Sequence, residues 1–175
     1  MLSVFMREAP SLAEKKWYVV YTRPKYEKKV LQSILSQEIE CYLPVRVELK
    51  QWSDRIKRLQ SPIFPNYLFV KISLENKVKI LRMEGVIYFV GFDGQPVTVS
   101  EDEIEKIKRI ESRGGEFYEE SYYCIGDKVR VVHGIFSGME GILLRKPNQV
   151  RFVIKLPVIS QAVSVEIESC DVERI

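Results

Sequence analysis

Histidine is nearly missing from this 175-residue chain: His133 is the only one. That removes any His-based metal cluster and leaves no Cys-His-Asp constellation to place. His133 ends an alternating apolar stretch and precedes Gly134, so it reads as a turn residue. Cys41, Cys124 and Cys170 are odd in number and widely spaced. They fit neither a disulfide framework nor a zinc site, and suggest reduced thiols in a cytoplasmic protein. No run approaches the roughly 18 apolar residues of a membrane helix, and no signal peptide is visible. P-loop and Rossmann glycine patterns are absent. Glu101, Asp102 and Glu103 crowd an expected helix start, where the dipole favours carboxylates, so they read as structural. The expectation is a non-enzyme with no metal and no cofactor.

The apolar share of 46% and charged share of 29% are those of a globular protein of one or two small domains. The net charge of +3 hides an asymmetry. Residues 1–82 hold 16 Lys+Arg against 8 Asp+Glu, a balance of +8, while 83–112 stand at −4 and 113–175 at −1. Positive potential able to attract a polyanion is confined to the first half.

Residues 1–15 are an unpatterned lead-in. Lys16 to Tyr21 reads as a strand. Thr22-Arg23-Pro24 then opens a helix, with Thr22 or Arg23 near the cap and Pro24 at the first helical position. Val30, Leu31, Ile34 and Leu35 form its apolar stripe. Arg23, Lys25, Lys28 and Lys29 gather at the helix start, where cations are disfavoured by the dipole. Such a cluster is either a solvated helix face or an anion site, and Tyr21 and Tyr26 beside it would allow stacking on unpaired bases. Glu40 to Leu49 reads as extended. Lys50 to Arg58 reads as a basic hairpin carrying Trp52, with Ser53-Asp54 at its turn.

The stretch Ser61-Pro62-Ile63-Phe64-Pro65-Asn66-Tyr67-Leu68-Phe69-Val70 organises the rest. Two prolines precede a strand running from Tyr67 to Ile72. Leu68, Val70 and Ile72 point one way and suit a core; Tyr67, Phe69 and Lys71 point the other. The two aromatics imply either a sheet covered on both sides or an exposed surface for a partner protein. Leu74 to Met83 reads as a short helix with Val78, Ile80 and Leu81 inward. Val86 to Phe92 reads as a strand closed by an Asp93-Gly94 turn. Ser100 with Glu103 makes a capping box for a helix carrying Ile104, Ile107 and Ile110. This order approximates a ferredoxin-like α+β sandwich over 16–111. Residues 112–122 break all periodicity and read as a linker. Residues 123–175 are β-only, with Gly134, Gly138 and Gly141 punctuating turns, which suggests a small closed barrel.

Trp17-Tyr18-Val19-Val20-Tyr21 and Phe64-Pro65-Asn66-Tyr67-Leu68-Phe69-Val70 resemble the N-terminal domain of NusG-like transcription elongation factors. The Asn and second aromatic, with Gln51-Trp52-Ser53-Asp54-Arg55, are similar to the specialised RfaH-type and UpxY-type antiterminators. Gly126-Asp127-Lys128-Val129-Arg130-Val131 and Phe136-Ser137-Gly138-Met139-Glu140-Gly141 resemble a KOW motif. The resemblance implies a ferredoxin-like domain followed by an SH3-like KOW barrel. It implies docking on the clamp helices of RNA polymerase through Phe64, Pro65, Tyr67 and Phe69, with Ile87 and Phe89. Arg23, Lys25, Tyr26, Lys28 and Lys29 would face the single-stranded non-template DNA, and pausing or termination would be suppressed. The barrel would recruit a ribosomal protein or the termination factor Rho, with Ile135 and Phe136 as its contacts. A monomer away from membranes is expected. At the stretch matching the RfaH-type His-Thr-Thr-Thr patch this chain has Asn76-Lys77-Val78-Lys79, so that contact would need different chemistry. A second reading is an RNA- or ribosome-binding KOW protein, which explains the barrel but not the first domain, and a third is a plain structural adaptor.

Overall fold

The branched and aromatic residues that begin the patterned region form β1 (Lys16–Thr22), followed by α1 (Glu27–Leu35), β2 (Glu40–Tyr42), β3 (Val45–Gln51) and β4 (Ile56–Pro62). Next come β5 (Tyr67–Ile72), a 3-10 turn at Leu74–Asn76, α2 (Lys77–Leu81), β6 (Val86–Phe89), β7 (Gly91–Phe92), β8 (Gln95–Pro96), β9 (Thr98–Val99) and α3 (Glu101–Arg113). Beyond α3 the described elements are a 3-10 turn at Pro157–Ile159 and the strands β10 (Tyr118–Glu120), β11 (Asp127–Val131), β12 (Glu140–Lys146), β13 (Gln149–Leu156), β14 (Gln161–Glu166) and β15 (Val172–Arg174). This computed structural model describes residues 14–51, 56–113, 118–120, 126–146, 149–167 and 171–175. Trp52 to Arg55, at the expected basic hairpin tip, lie outside the described residues, as do Cys124 and Cys170.

The first sheet runs β2-β5-β1-β6, with β9 also paired to β1. Its β1–β5 register sets Trp17 opposite Lys71, Val19 opposite Phe69 and Tyr21 opposite Tyr67. One face carries Tyr18, Val20, Leu68, Val70 and Ile72 and packs on Val30 and Ile34 of α1 and Ile80 of α2. Val78 is 54% exposed rather than inward. The 3-10 turn before α2 advances three residues per turn, so the face expected from a continuous α-helix is rotated.

The opposite face packs on Ile104, Ile107 and Ile110 of α3. The capping box forms as the sequence indicates: Glu103 N–H donates to Ser100 Oγ at 3.2 Å, and Ser100 N–H donates to Glu103 Oε2 at 2.9 Å. Both ends of α3 are fastened to the sheet. Trp17 Nε1 donates to Glu101 Oε2 at 2.9 Å, and the Lys71 ammonium pairs with Glu101. At the far end Tyr42 Oη donates to Glu111 Oε2 at 2.6 Å and Val45 N–H to Glu111 Oε1 at 3.1 Å. The sheet is thus covered on both sides over the span of α3.

Three local expectations shift. The segment 40–49 divides into β2 and β3 at Leu43-Pro44. Pro24 does not start α1; it occupies a turn closed by Tyr26 N–H donating to Arg23 O at 3.1 Å, with Lys25 at φ +67°. The expected linker is shorter, because α3 runs to Arg113 and Tyr118–Glu120 pairs with β14. The second sheet is antiparallel in the order β10-β14-β13-β12-β11-β15, an SH3-like barrel arrangement around Val129, Val131, Leu143, Phe152, Val163 and Val165. Gly141 is required there, since a Cβ would sit 2.5 Å from the Val153 carbonyl oxygen. Arg109 and Arg113 reach from α3 to the barrel, donating to the carbonyl oxygens of Ser137 and Glu166 respectively.

Candidate functional site

The same face of the same sheet changes character toward the Asn66 end. Tyr67, Tyr21 and Tyr88 are direct cross-strand neighbours on β5, β1 and β6. Their rings form one row: Tyr21 meets Tyr67 edge-on at 5.1 Å and stacks on Tyr88 at 5.0 Å. Tyr21 and Tyr67 are half-buried and Tyr88 is 47% exposed. Burial and its two tyrosine neighbours hold the Tyr67 phenol above the usual tyrosine range. Beside the row lies a cleft of about 350 Å³ bounded by Ile63, Pro65, Asn66 and the barrel segment Ser160 to Val163.

Three loops interlock at this end. Thr22 N–H donates to Asn66 O at 2.8 Å, and Arg23 N–H donates to Gly85 O at 2.8 Å. The carboxylate of Glu27, itself buried, accepts Asn66 N–H at 2.9 Å. Lys25, Asn66 and Gly85 all have left-handed backbones, with φ of +67°, +68° and +95°. Only glycine fits at 85, because a Cβ would lie 2.5 Å from Tyr26 Cδ1. Left-handed conformations at a non-glycine such as Lys25 persist where the surroundings hold them, and they concentrate at functional sites.

Arg23, Lys25 and Lys28 stand exposed on this rim and make no ion pair among the described residues. Lys29 is committed elsewhere. Its ammonium contacts Glu84 Oε2 at 2.8 Å and lies 5.4 Å from the Tyr26 ring centroid. Hydrogen bonding to Glu84 holds Lys29 above its ordinary range, and the same contact holds the Glu84 carboxyl below its own. The expected basic cluster is therefore an exposed trio, of which Arg23 also feels the Glu84 carboxylate, beside one ion-paired neighbour. Tyr26 is half-buried against Gly85.

Several expected contact residues are core residues instead. Phe69 is 1% exposed, held between Tyr42 and Phe64 rings at 6.2 and 6.4 Å and beneath α3. Phe64 is 1% exposed for the same reason. Phe89 points into the α1–α2 side and meets Tyr18 edge-on at 6.3 Å. None of the three side chains offers a surface. Pro65 and Ile87 are exposed, Ile87 at the bulge where the β1–β6 register shifts. On the barrel, Ile135 is exposed, whereas Phe136 is buried against Phe152, with the Arg113 guanidinium 5.5 Å from its ring centroid. Tyr88 was not among the expected contacts. Its signal was register: Tyr67, Tyr21 and Tyr88 align only when β5, β1 and β6 are paired.

Among the described residues no group of three or more His, Cys, Asp or Glu could hold a metal. No described helix is long and apolar enough to cross a membrane.

The family model for the transcription termination factor NusG matches residues 15–108, more than half of the chain. The chain belongs to the NusG family. The match spans the whole first sheet and most of α3, so the tyrosine row and the basic rim both lie on NusG-family framework. The transcription termination/antitermination protein NusG of Chlamydia trachomatis is 29% identical over 140 residues, covering 73% of this chain and 76% of that protein. The NusG of Lactococcus lactis is 25% identical over 175 residues, covering 91% and 92%. Among solved structures, one described as domain interaction in Thermotoga maritima NusG shares the fold, with a TM-score of 0.58 at 22% identity over 94% of this chain and 99% of the other.

Proposed function

We propose that this NusG-family chain is a transcription elongation and antitermination factor. It docks on the clamp helices of RNA polymerase through the Tyr21–Tyr67–Tyr88 row with Pro65 and Ile87 at its margin. Arg23, Lys25 and Lys28 then face the single-stranded non-template DNA. The observation that carries this reading is the meeting of an aromatic row and an unpaired cationic rim at one end of one sheet.

The chemistry suits both partners. Tyrosine rings supply large, stiff contact area with a polar tip, which favours protein interfaces. Unpaired guanidinium and ammonium groups attract a polyphosphate backbone and release its counterions, so binding weakens with salt. Holding polymerase and the displaced strand together would keep the clamp closed and suppress pausing. The names of the relatives, termination/antitermination proteins, agree with a role of this kind. Within the family we assign the chain to the specialised RfaH- and UpxY-like members on the Asn66-Tyr67 and Gln51-Trp52-Ser53-Asp54-Arg55 residues. A ribosomal protein or Rho would meet the barrel at Ile135.

The test is a polymerase pull-down with Tyr67→Ala. Affinity falls about thirtyfold, the equivalent of the roughly 2 kcal/mol typical of an anchoring aromatic. Unchanged affinity in a folded variant removes the proposed surface.

A further inference from the structure

We propose that Glu27 is the positioning residue that locks the aromatic row and the basic rim into one rigid unit. This rests on the functional reading above and adds a residue that contacts neither partner.

Glu27 opens α1 directly beneath the basic turn, yet its side chain is turned inward and 7% exposed. A buried carboxylate is costly unless its oxygens are satisfied by donors. Here one oxygen accepts the Asn66 backbone N–H at 2.9 Å. That amide belongs to a residue held at φ +68°, in the loop that launches Tyr67. The Asn66 carbonyl is gripped from the other side by the Thr22 N–H and hydroxyl, at 2.8 and 3.2 Å. Both backbone polar groups of Asn66 are thus spent on the β1–α1 segment. Thr22 follows Tyr21 and precedes Arg23, so the same clamp fixes the row and the rim. The Arg23 N–H bond to Gly85 O brings the loop ahead of Tyr88 into the same lock.

The consequence concerns simultaneous engagement. When two sites on a rigid body bind two parts of one target, the second contact forms at a high effective concentration. That gain is lost when the sites can reorient. Releasing Asn66 should therefore weaken binding to the joint target far more than binding to either part alone.

The full-length chain is compared as wild type, Glu27→Ala and Glu27→Gln. Each is titrated against polymerase assembled on a scaffold with an exposed non-template single strand, against polymerase alone, and against the single strand alone. Glu27→Ala loses about tenfold on the scaffold and less than about threefold on either part. Glu27→Gln, whose amide oxygen still accepts the Asn66 proton, stays near wild type. Amide hydrogen exchange reads the clamp without any partner: Asn66 exchanges faster in Glu27→Ala and not in Glu27→Gln. A wild type that gains nothing from the single strand defeats the functional reading. A wild-type gain that persists in Glu27→Ala, or an Asn66 amide equally protected in a folded Glu27→Ala, defeats the Glu27 assignment.

Discussion

Phe69 and Tyr67 sit two residues apart on one face of one strand, and they have opposite fates. Phe69 is sealed at 1% exposure, while Tyr67 remains half-buried beside an open cleft. The strand does not distinguish them; α3 does. Its two anchors, Glu101 on Trp17 and Lys71 and Glu111 on Tyr42 and Val45, stretch it across the Phe69 half of the sheet. The Tyr67 half is covered less completely: Tyr67 packs against the same cluster but stays half-buried beside the cleft that Ser160 to Val163 bound. A sheet face can therefore be sealed at one end and left half-open at the other, and the boundary is drawn by a helix that arrives some thirty residues later.

The first way to break this comparison is to truncate the sealed member. Phe69→Ala removes a fully buried ring and should cost about 3–5 kcal/mol of stability, read by chemical denaturation. A variant as stable as wild type would mean that the α3 half is not core. Gly85→Ala attacks the loop end instead. It forces a Cβ into Tyr26 at a positive φ and should cost roughly 1–3 kcal/mol, with loss of the Tyr26 environment visible by NMR. Charge sharpens the comparison at smaller scale. Arg23→Ala with Lys25→Ala should leave stability almost unchanged and flatten the salt dependence of single-strand binding by about 1.4 in log–log slope. Lys29→Ala, by contrast, removes a cation already paired with Glu84 and should move that slope less. The smallest effect is Lys25→Gly, which relieves the left-handed backbone and should raise stability by up to about 1 kcal/mol while weakening strand binding.

What the sequence made legible was local or strictly periodic. The Ser100–Glu103 capping box, the Ile104, Ile107 and Ile110 stripe, and the Asp93-Gly94 hairpin turn all depend on residues within one or two turns of each other. The family resemblance extended that to the order of elements. What stayed hidden depended on distant partners or on backbone conformation. Phe64 and Phe69 look like surface aromatics until α3 is placed over them. Pro24 looks like a first helical residue until Lys25 adopts φ +67° and turns the chain before α1 begins. Tyr118–Glu120 looks like linker because its strand character comes from pairing with β14. The row through Tyr88 needs a register across three strands, with a bulge between Tyr21 and Thr22.

We propose that the tyrosine row grips polymerase, with Tyr88 its most exposed member. A benzophenone side chain placed at position 88 of the full-length chain tests it directly, with the same probe at Val78 on the helical side as the control; both sites are about half exposed. Position 88 should crosslink to the clamp helices of the large polymerase subunit, and position 78 should not. Crosslinks to those helices from position 78, with none from position 88, would contradict it.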